Sequence, residues 1–312
     1  DKSKFQEVFG TTLLDLARTD NRIVGITPAM ASGCSMNIMQ DEMPGRVFDV
    51  GIAEQHAVTF SAGLAAEGML PFCNIYSSFS QRAYDNVIHD VALQGLKIVL
   101  CLDRGGLVGE DGATHHGAFD LAAFRPVPNL TLCAPYDERE LRNLMYSATR
   151  PEYGATVIRY PRGYGKGTPW RDEPFDFIAP GTAVKLHEGS GIALLSIGAA
   201  GVMGSEAVAR AAAEHGIEVL HFDMRFLKPV DTSALAEACR KAECLITLED
   251  GVTAGGLYST VAEYIAANGL ARKLKGMGIP DRFIEQGTPA QLYAECGFDA
   301  NGILAEILKV KN

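Results

Sequence analysis

Asp49-Val50-Gly51-Ile52-Ala53-Glu54-Gln55-His56-Ala57-Val58 runs out of an apolar stretch, through a glycine, and into a segment of helical character. Residues 46–50 predict a strand and residues 53–67 a helix, so Gly51 marks a strand-to-helix turn. The same alternation extends in both directions. Upstream lie a helix over 5–18 and a strand over 22–27; downstream come strands over 71–76, 97–103, 131–134 and 156–160. A helix is expected over 78–93, and another begins near Asp137, whose carboxylate suits an N-cap. Short apolar strands alternating with helices imply βαβ units and a mostly parallel sheet. Beyond a Gly-, Pro- and charge-rich stretch, strands over 192–197, 217–222 and 244–249 alternate with helices over 202–214, 232–242 and 257–267. The expected architecture is therefore α/β: two consecutive α/β domains with mostly parallel sheets, over 1–165 and 189–312, joined by a linker over 166–188.

Composition narrows the function. The chain has 312 residues, 47% of them hydrophobic, enough for one large core or two ordinary ones. Its formal charge is -10 and no segment concentrates Lys and Arg, so the basic footprint of nucleic-acid binding is missing. Seven scattered cysteines, never spaced as C-x-x-C, predict buried thiols in a reducing compartment. No apolar run approaches the roughly 20 residues of a membrane span, and the start shows no signal-peptide core. A cytoplasmic protein is expected. The first residue is Asp rather than Met, which points to a processed chain or a piece of a longer product.

Three segments stand where open α/β sheets place ligands, outside the carboxyl ends of strands. The first contains Glu54, a helix first-turn glutamate that on physics alone could simply complement the helix dipole. The second, Ile75-Tyr76-Ser77-Ser78-Phe79-Ser80-Gln81-Arg82-Ala83-Tyr84-Asp85, sets aromatics and an arginine at a strand-to-helix junction. The third runs from Asp103-Arg104-Gly105-Gly106 to Asp111-Gly112-Ala113-Thr114-His115-His116-Gly117; a loop so rich in glycine packs little core and more often carries function. The His115-His116 pair has no i,i+4 partner, so no metal site is assigned.

Taken together, GIAEQHAVTF, YSSFSQRAYD, DRGGLVGEDGATHHGAFD, RYPRG and DMRFLKP resemble the 1-deoxy-D-xylulose-5-phosphate synthases, transketolase-like enzymes, over essentially all of the chain. The resemblance implies a pyrimidine-binding domain followed by a transketolase C-terminal domain. It implies condensation of pyruvate with D-glyceraldehyde 3-phosphate, with loss of carbon dioxide, on thiamine diphosphate as electron sink. It assigns Glu54 to the glutamate that bonds the cofactor's pyrimidine nitrogen, Phe79 to the aromatic stacked on that ring, and Arg82 to a neighbouring arginine. Tyr76 would line the substrate wall, Arg104 and Arg162 would hold the aldehyde's phosphate, and Asp111 and His115 would stand nearest the reacting substrates. His116 receives no catalytic role. A homodimer is expected.

The chain departs from that family by an absence: no Gly-Asp-Gly followed by Asn, the pattern that holds magnesium and the diphosphate, occurs anywhere in it. Thiamine diphosphate and Mg2+ are thus expected in the full-length enzyme, with the diphosphate and metal ligands in a separate N-terminal half, and this chain is expected to be inactive alone. Two further readings stay open, the natural β subunit of a split transketolase and a non-catalytic dimerisation module. A nicotinamide dehydrogenase is rejected. Gly198-Ala199-Ala200-Gly201 puts Ala200 where the dinucleotide fingerprint needs its second glycine, and a Cβ there obstructs the pyrophosphate.

Overall fold

The computed structural model describes residues 2–311; Asp1 and Asn312, the outer ends of the two expected domains, lie outside the described residues. Helix α1 (Phe5–Thr19) buries Phe5, Val8, Phe9, Leu13 and Leu16 along one stripe, as i, i+3, i+4 spacing requires. It leads into β1 (Ile23–Thr27), α2 (Asn37–Glu42), β2 (Val47–Asp49), α3 (Glu54–Ala66) and β3 (Leu70–Tyr76). Next come α4 (Tyr84–Asn86), β4 (Val99–Asp103), α5 (Asp120–Phe124), β5 (Leu130–Cys133), α6 (Glu138–Ala148) and β6 (Ala155–Arg159). Asp137 caps α6 as expected, its carboxylate accepting from the Glu140 N–H at 3.0 Å.

The second half contains β7 (Val184–His187), β8 (Gly191–Ile197), α7 (Ala200–His215), β9 (Leu220–Asp223), β10 (Phe226–Lys228), α8 (Thr232–Lys241) and β11 (Ala242–Val252). It closes with α9 (Leu257–Ala267), β12 (Lys273–Ile279), α10 (Pro289–Glu295) and α11 (Ala300–Lys311). The strands form two sheets, a 7-stranded one in the order β10-β5-β6-β4-β3-β1-β2 and a 5-stranded one in the order β12-β11-β8-β9-β7. Pairing is parallel except at β10 on β5 and β7 on β9. The two-domain α/β expectation holds.

Several details differ from the sequence reading. Residues 78–93 do not form one helix: a 3₁₀ turn over Phe79–Ala83 leads through α4 into a π-helical turn over Val87–Ala92. The wider turn keeps Val87, Val91 and Ala92 buried together against the α3 side of the core. Strand β7 lies inside the stretch read as linker and joins the second sheet at its edge. Strand β10, from the second half of the chain, crosses to extend the first sheet. Nothing in the pattern pointed to β12, where Gly276 and Gly278 interrupt the apolar residues.

Candidate active site

Four segments at the carboxyl ends of β2, β3, β4 and β6 carry Glu54, Tyr76, Phe79, Arg82, Arg104, Asp111, His115 and Arg162, Tyr76 being the last residue of β3. In the first, Gly51 adopts φ +74°, a conformation open to glycine at little cost. The Asp49 carboxylate accepts from the Gly51 N–H at 3.0 Å and the Ala29 N–H at 2.8 Å, tying the turn down. Helix α3 then starts at Glu54, which is only 3% exposed. A lone buried carboxylate would be costly. Here Arg82 Nη1 donates to Glu54 Oε1 at 2.8 Å, from a side chain that is itself half exposed.

Around that pair the aromatics assemble. The Arg82 guanidinium lies 5.0 Å from the Phe79 ring centre. Phe79 stacks on Tyr76 at 5.7 Å and meets the His115 ring edge-on at 5.3 Å. The Arg104 guanidinium covers the other ring of this stack, 3.8 Å from the Tyr76 centroid. Gly33 closes the wall behind, because a Cβ on it would collide with the Tyr76 hydroxyl.

Asp103, to which the sequence reading gave no role, underlies the group. It ends β4 in register with Tyr76 on β3 and is fully buried. Arg104 Nη1 donates to its Oδ2 at 2.9 Å, while Arg104 itself sits at φ +62°. Burial pushes the Asp103 carboxyl up to about 6 and the Tyr76 hydroxyl up to about 12, each opposed by the nearby charges of Arg104 and Arg162. The strand-terminal Asp beside an arginine was the available signal.

Arg162 and Asp111 meet as an ion pair at 2.9 Å, and Arg162 also reaches the Val108 carbonyl at 3.4 Å. Arg104 and Arg162 both act electrostatically on Asp103 and Tyr76. His115 Nδ1 lies 2.9 Å from the Thr114 hydroxyl. His116 is different: it is buried and accepts from the Val108 N–H at Nδ1, 3.1 Å, so it serves the loop's own structure. Chemically, the site combines a buried carboxylate, a flat aromatic face, two guanidinium groups each paired with a carboxylate, and an imidazole beside them.

Comparison with known proteins identifies the architecture. Residues 1–166 match the family model of the transketolase pyrimidine-binding domain, and residues 181–303 that of the transketolase C-terminal domain. The chain belongs to the transketolase family. Among named relatives, the 1-deoxy-D-xylulose-5-phosphate synthases of Bacteroides fragilis and Bacteroides thetaiotaomicron are 54% and 55% identical to it over 307 and 305 residues. Each alignment takes in 98% of this chain but 47% of the relative, so the chain spans about half the length of the curated relatives it matches. A solved structure described as the inactive β4 tetramer of a split-gene transketolase superposes with a TM-score of 0.86 at 26% identity, covering 99% of this chain and 98% of that one. The relatives are named as 1-deoxy-D-xylulose-5-phosphate synthases, which agrees with the resemblance drawn from the motifs.

Proposed function

We propose that this chain is the pyrimidine-binding and C-terminal part of a 1-deoxy-D-xylulose-5-phosphate synthase, divided into domains over 1–165 and 189–312. The observation that carries the reading is Glu54: a carboxylate buried at the first turn of a helix, held by Arg82 at 2.8 Å, with Phe79 beside it. That donor set fits the pyrimidine half of thiamine diphosphate, a flat ring whose nitrogen can share a proton with a carboxylate. When bound, the cofactor supplies the electron sink for decarboxylation of pyruvate. Glu54 holds the proton toward the ring nitrogen, Arg82 fixes the Glu54 carboxylate, and Phe79 offers the ring its flat face.

Substrate binding falls to the neighbouring loops. Arg104 and Arg162 bind the phosphate of D-glyceraldehyde 3-phosphate, for which a guanidinium fork is suited. Tyr76 lines the wall between phosphate and cofactor. Asp111 and His115 bind substrate oxygens and move protons. Magnesium and the diphosphate would be held by a separate N-terminal half, in a cytoplasmic homodimer. The test is formation of 1-deoxy-D-xylulose 5-phosphate from the two substrates by the complete protein.

A second reading is supported by the neighbour of equal length: the chain could be the natural β partner of a split enzyme. Copurification of a distinct cofactor-binding polypeptide supports that arrangement. A single product about twice as long supports the first.

A further inference from the structure

The loop that carries Asp111 and His115 is anchored by the other domain. Its Leu107 N–H donates to Asp250 Oδ1 at 2.9 Å, across 143 residues of sequence, and the Tyr293 hydroxyl donates to Asp250 Oδ2 at 3.1 Å. The Asp250 carbonyl oxygen accepts from Arg159 Nη2, whose Nε donates to Asp120 at 2.9 Å. Gly106 stands at φ +81°, and a Cβ on it would collide with the Asp250 carboxylate, so loop and carboxylate are in close contact. Further contacts follow the loop to its end. The Gly287 N–H donates to the Gly109 carbonyl at 3.3 Å, His116 Nε2 lies 3.3 Å from the Glu285 carbonyl, and the Val252 N–H donates to the Ala118 carbonyl at 2.9 Å.

A buried carboxylate is expensive unless it is bonded, and Asp250 is 5% exposed. Its two oxygens are committed to one loop N–H and one tyrosine of α10, which fixes the loop's root with respect to the second sheet. Between these anchors the loop bears the two contacts that matter for chemistry, Asp111 on Arg162 at 2.9 Å and the His115 ring 5.3 Å from Phe79. Among the described residues, no other carboxylate bonds to a backbone N–H of residues 105–109.

We propose that Asp250, oriented by Tyr293, is a positioning residue: from the second domain it fixes the loop Gly105–Gly117 so that Asp111 and His115 stand correctly against Arg162 and Phe79. The proposal rests on the reading of Asp111 and His115 as substrate-facing groups, but its structural half does not. Asp250 touches neither Asp111 nor His115 and acts through the backbone at Leu107.

The test is amide hydrogen exchange on the 312-residue chain, comparing wild type with Asp250→Ala, Asp250→Asn and Tyr293→Phe. Losing the charged acceptor should speed exchange at Leu107 and its loop neighbours by about tenfold or more, while amides of β4 and β8 keep wild-type protection. Asp250→Asn should restore most of the protection, since its amide oxygen still accepts from Leu107; simple domain adhesion would show no such rescue. If Asp250→Ala does not fold, Tyr293→Phe decides in its place, with a smaller rise confined to the loop. Unchanged loop exchange, or a rise spread evenly over both sheets, overturns the proposal. In the complete enzyme Tyr293→Phe should lower kcat about tenfold with both KM values held within about twofold, and an unaltered kcat despite a loosened loop likewise overturns it. If wild type makes no product at all, the synthase reading fails while the exchange result still decides the loop.

Discussion

Glu54 and Arg82 are joined at 2.8 Å although they come from different loops, one after β2 and one after β3, and only the arginine reaches solvent appreciably. The pair converts a helix-dipole glutamate into an oriented carboxylate. Removing the arginine would leave a buried carboxyl group without its partner.

The first concerns the cofactor. On the proposed reading the chain supplies Glu54 and Phe79 to the cofactor's ring, while the diphosphate and magnesium ligands lie in a separate N-terminal half. Calorimetric titration of the chain alone with thiamine diphosphate and magnesium should show binding weaker than about 100 μM, that is, less than about 5.5 kcal/mol. Micromolar or tighter binding would mean that this chain holds a diphosphate site of its own.

The arginines should separate phosphate recognition from chemistry. A lost charged hydrogen bond to a ligand costs about 1.5 to 3 kcal/mol, so Arg162→Ala in the complete enzyme should raise KM for D-glyceraldehyde 3-phosphate roughly 10- to 150-fold. The KM for pyruvate should hardly move. Unphosphorylated glyceraldehyde is the control, and it should react almost equally with mutant and wild type. Arg104→Ala should share the KM effect but also destabilise the protein, since Arg104 is the partner of the buried Asp103. If both aldehydes suffer alike, the arginines shape the loop and do not read the phosphate.

Buried acids give a pH signature. Glu249, fully buried, accepts from the Leu257 and Tyr258 N–H groups at the start of α9, yet burial outweighs these bonds and pushes its carboxyl up from 4.5 to about 7. Between those limits the folded state binds the extra proton, so stability falls as pH rises from about 4.5 through about 7. Glu249→Gln keeps an acceptor and removes the titration. Its thermal midpoint should therefore decline less than that of wild type over this window, as measured by calorimetry at pH 5 and pH 8. Parallel declines would show that Glu249 is charged in the fold throughout.

Much of this was legible in the sequence, and the reasons are local. The turn at Gly51 announces itself because strand, glycine and helix follow within ten residues, and Asp137 reads as a cap because its bond closes within three. The parts that were not legible depend on distant partners. Strand β10 exists because Phe226 and Lys228 pair with β5, about 90 residues earlier, and three residues carry too little pattern to show it. Asp103 and Asp250 look like ordinary polar residues at strand ends until the fold places Arg104, Leu107 and Tyr293 on them. The π turn over Val87–Ala92 escapes because a helical period of about 3.6 fits the same apolar residues well enough on paper.

Deuterium exchange at the thiazolium carbon of bound thiamine diphosphate, in the complete protein carrying Glu54→Gln, bears most directly on what the site is for. The amide preserves the size and the bond to a ring nitrogen but cannot share its proton, so exchange should slow by about 100-fold or more with the fold intact by circular dichroism. Exchange at the wild-type rate would show that Glu54 only complements its helix and that the assignment of the site to thiamine chemistry is wrong.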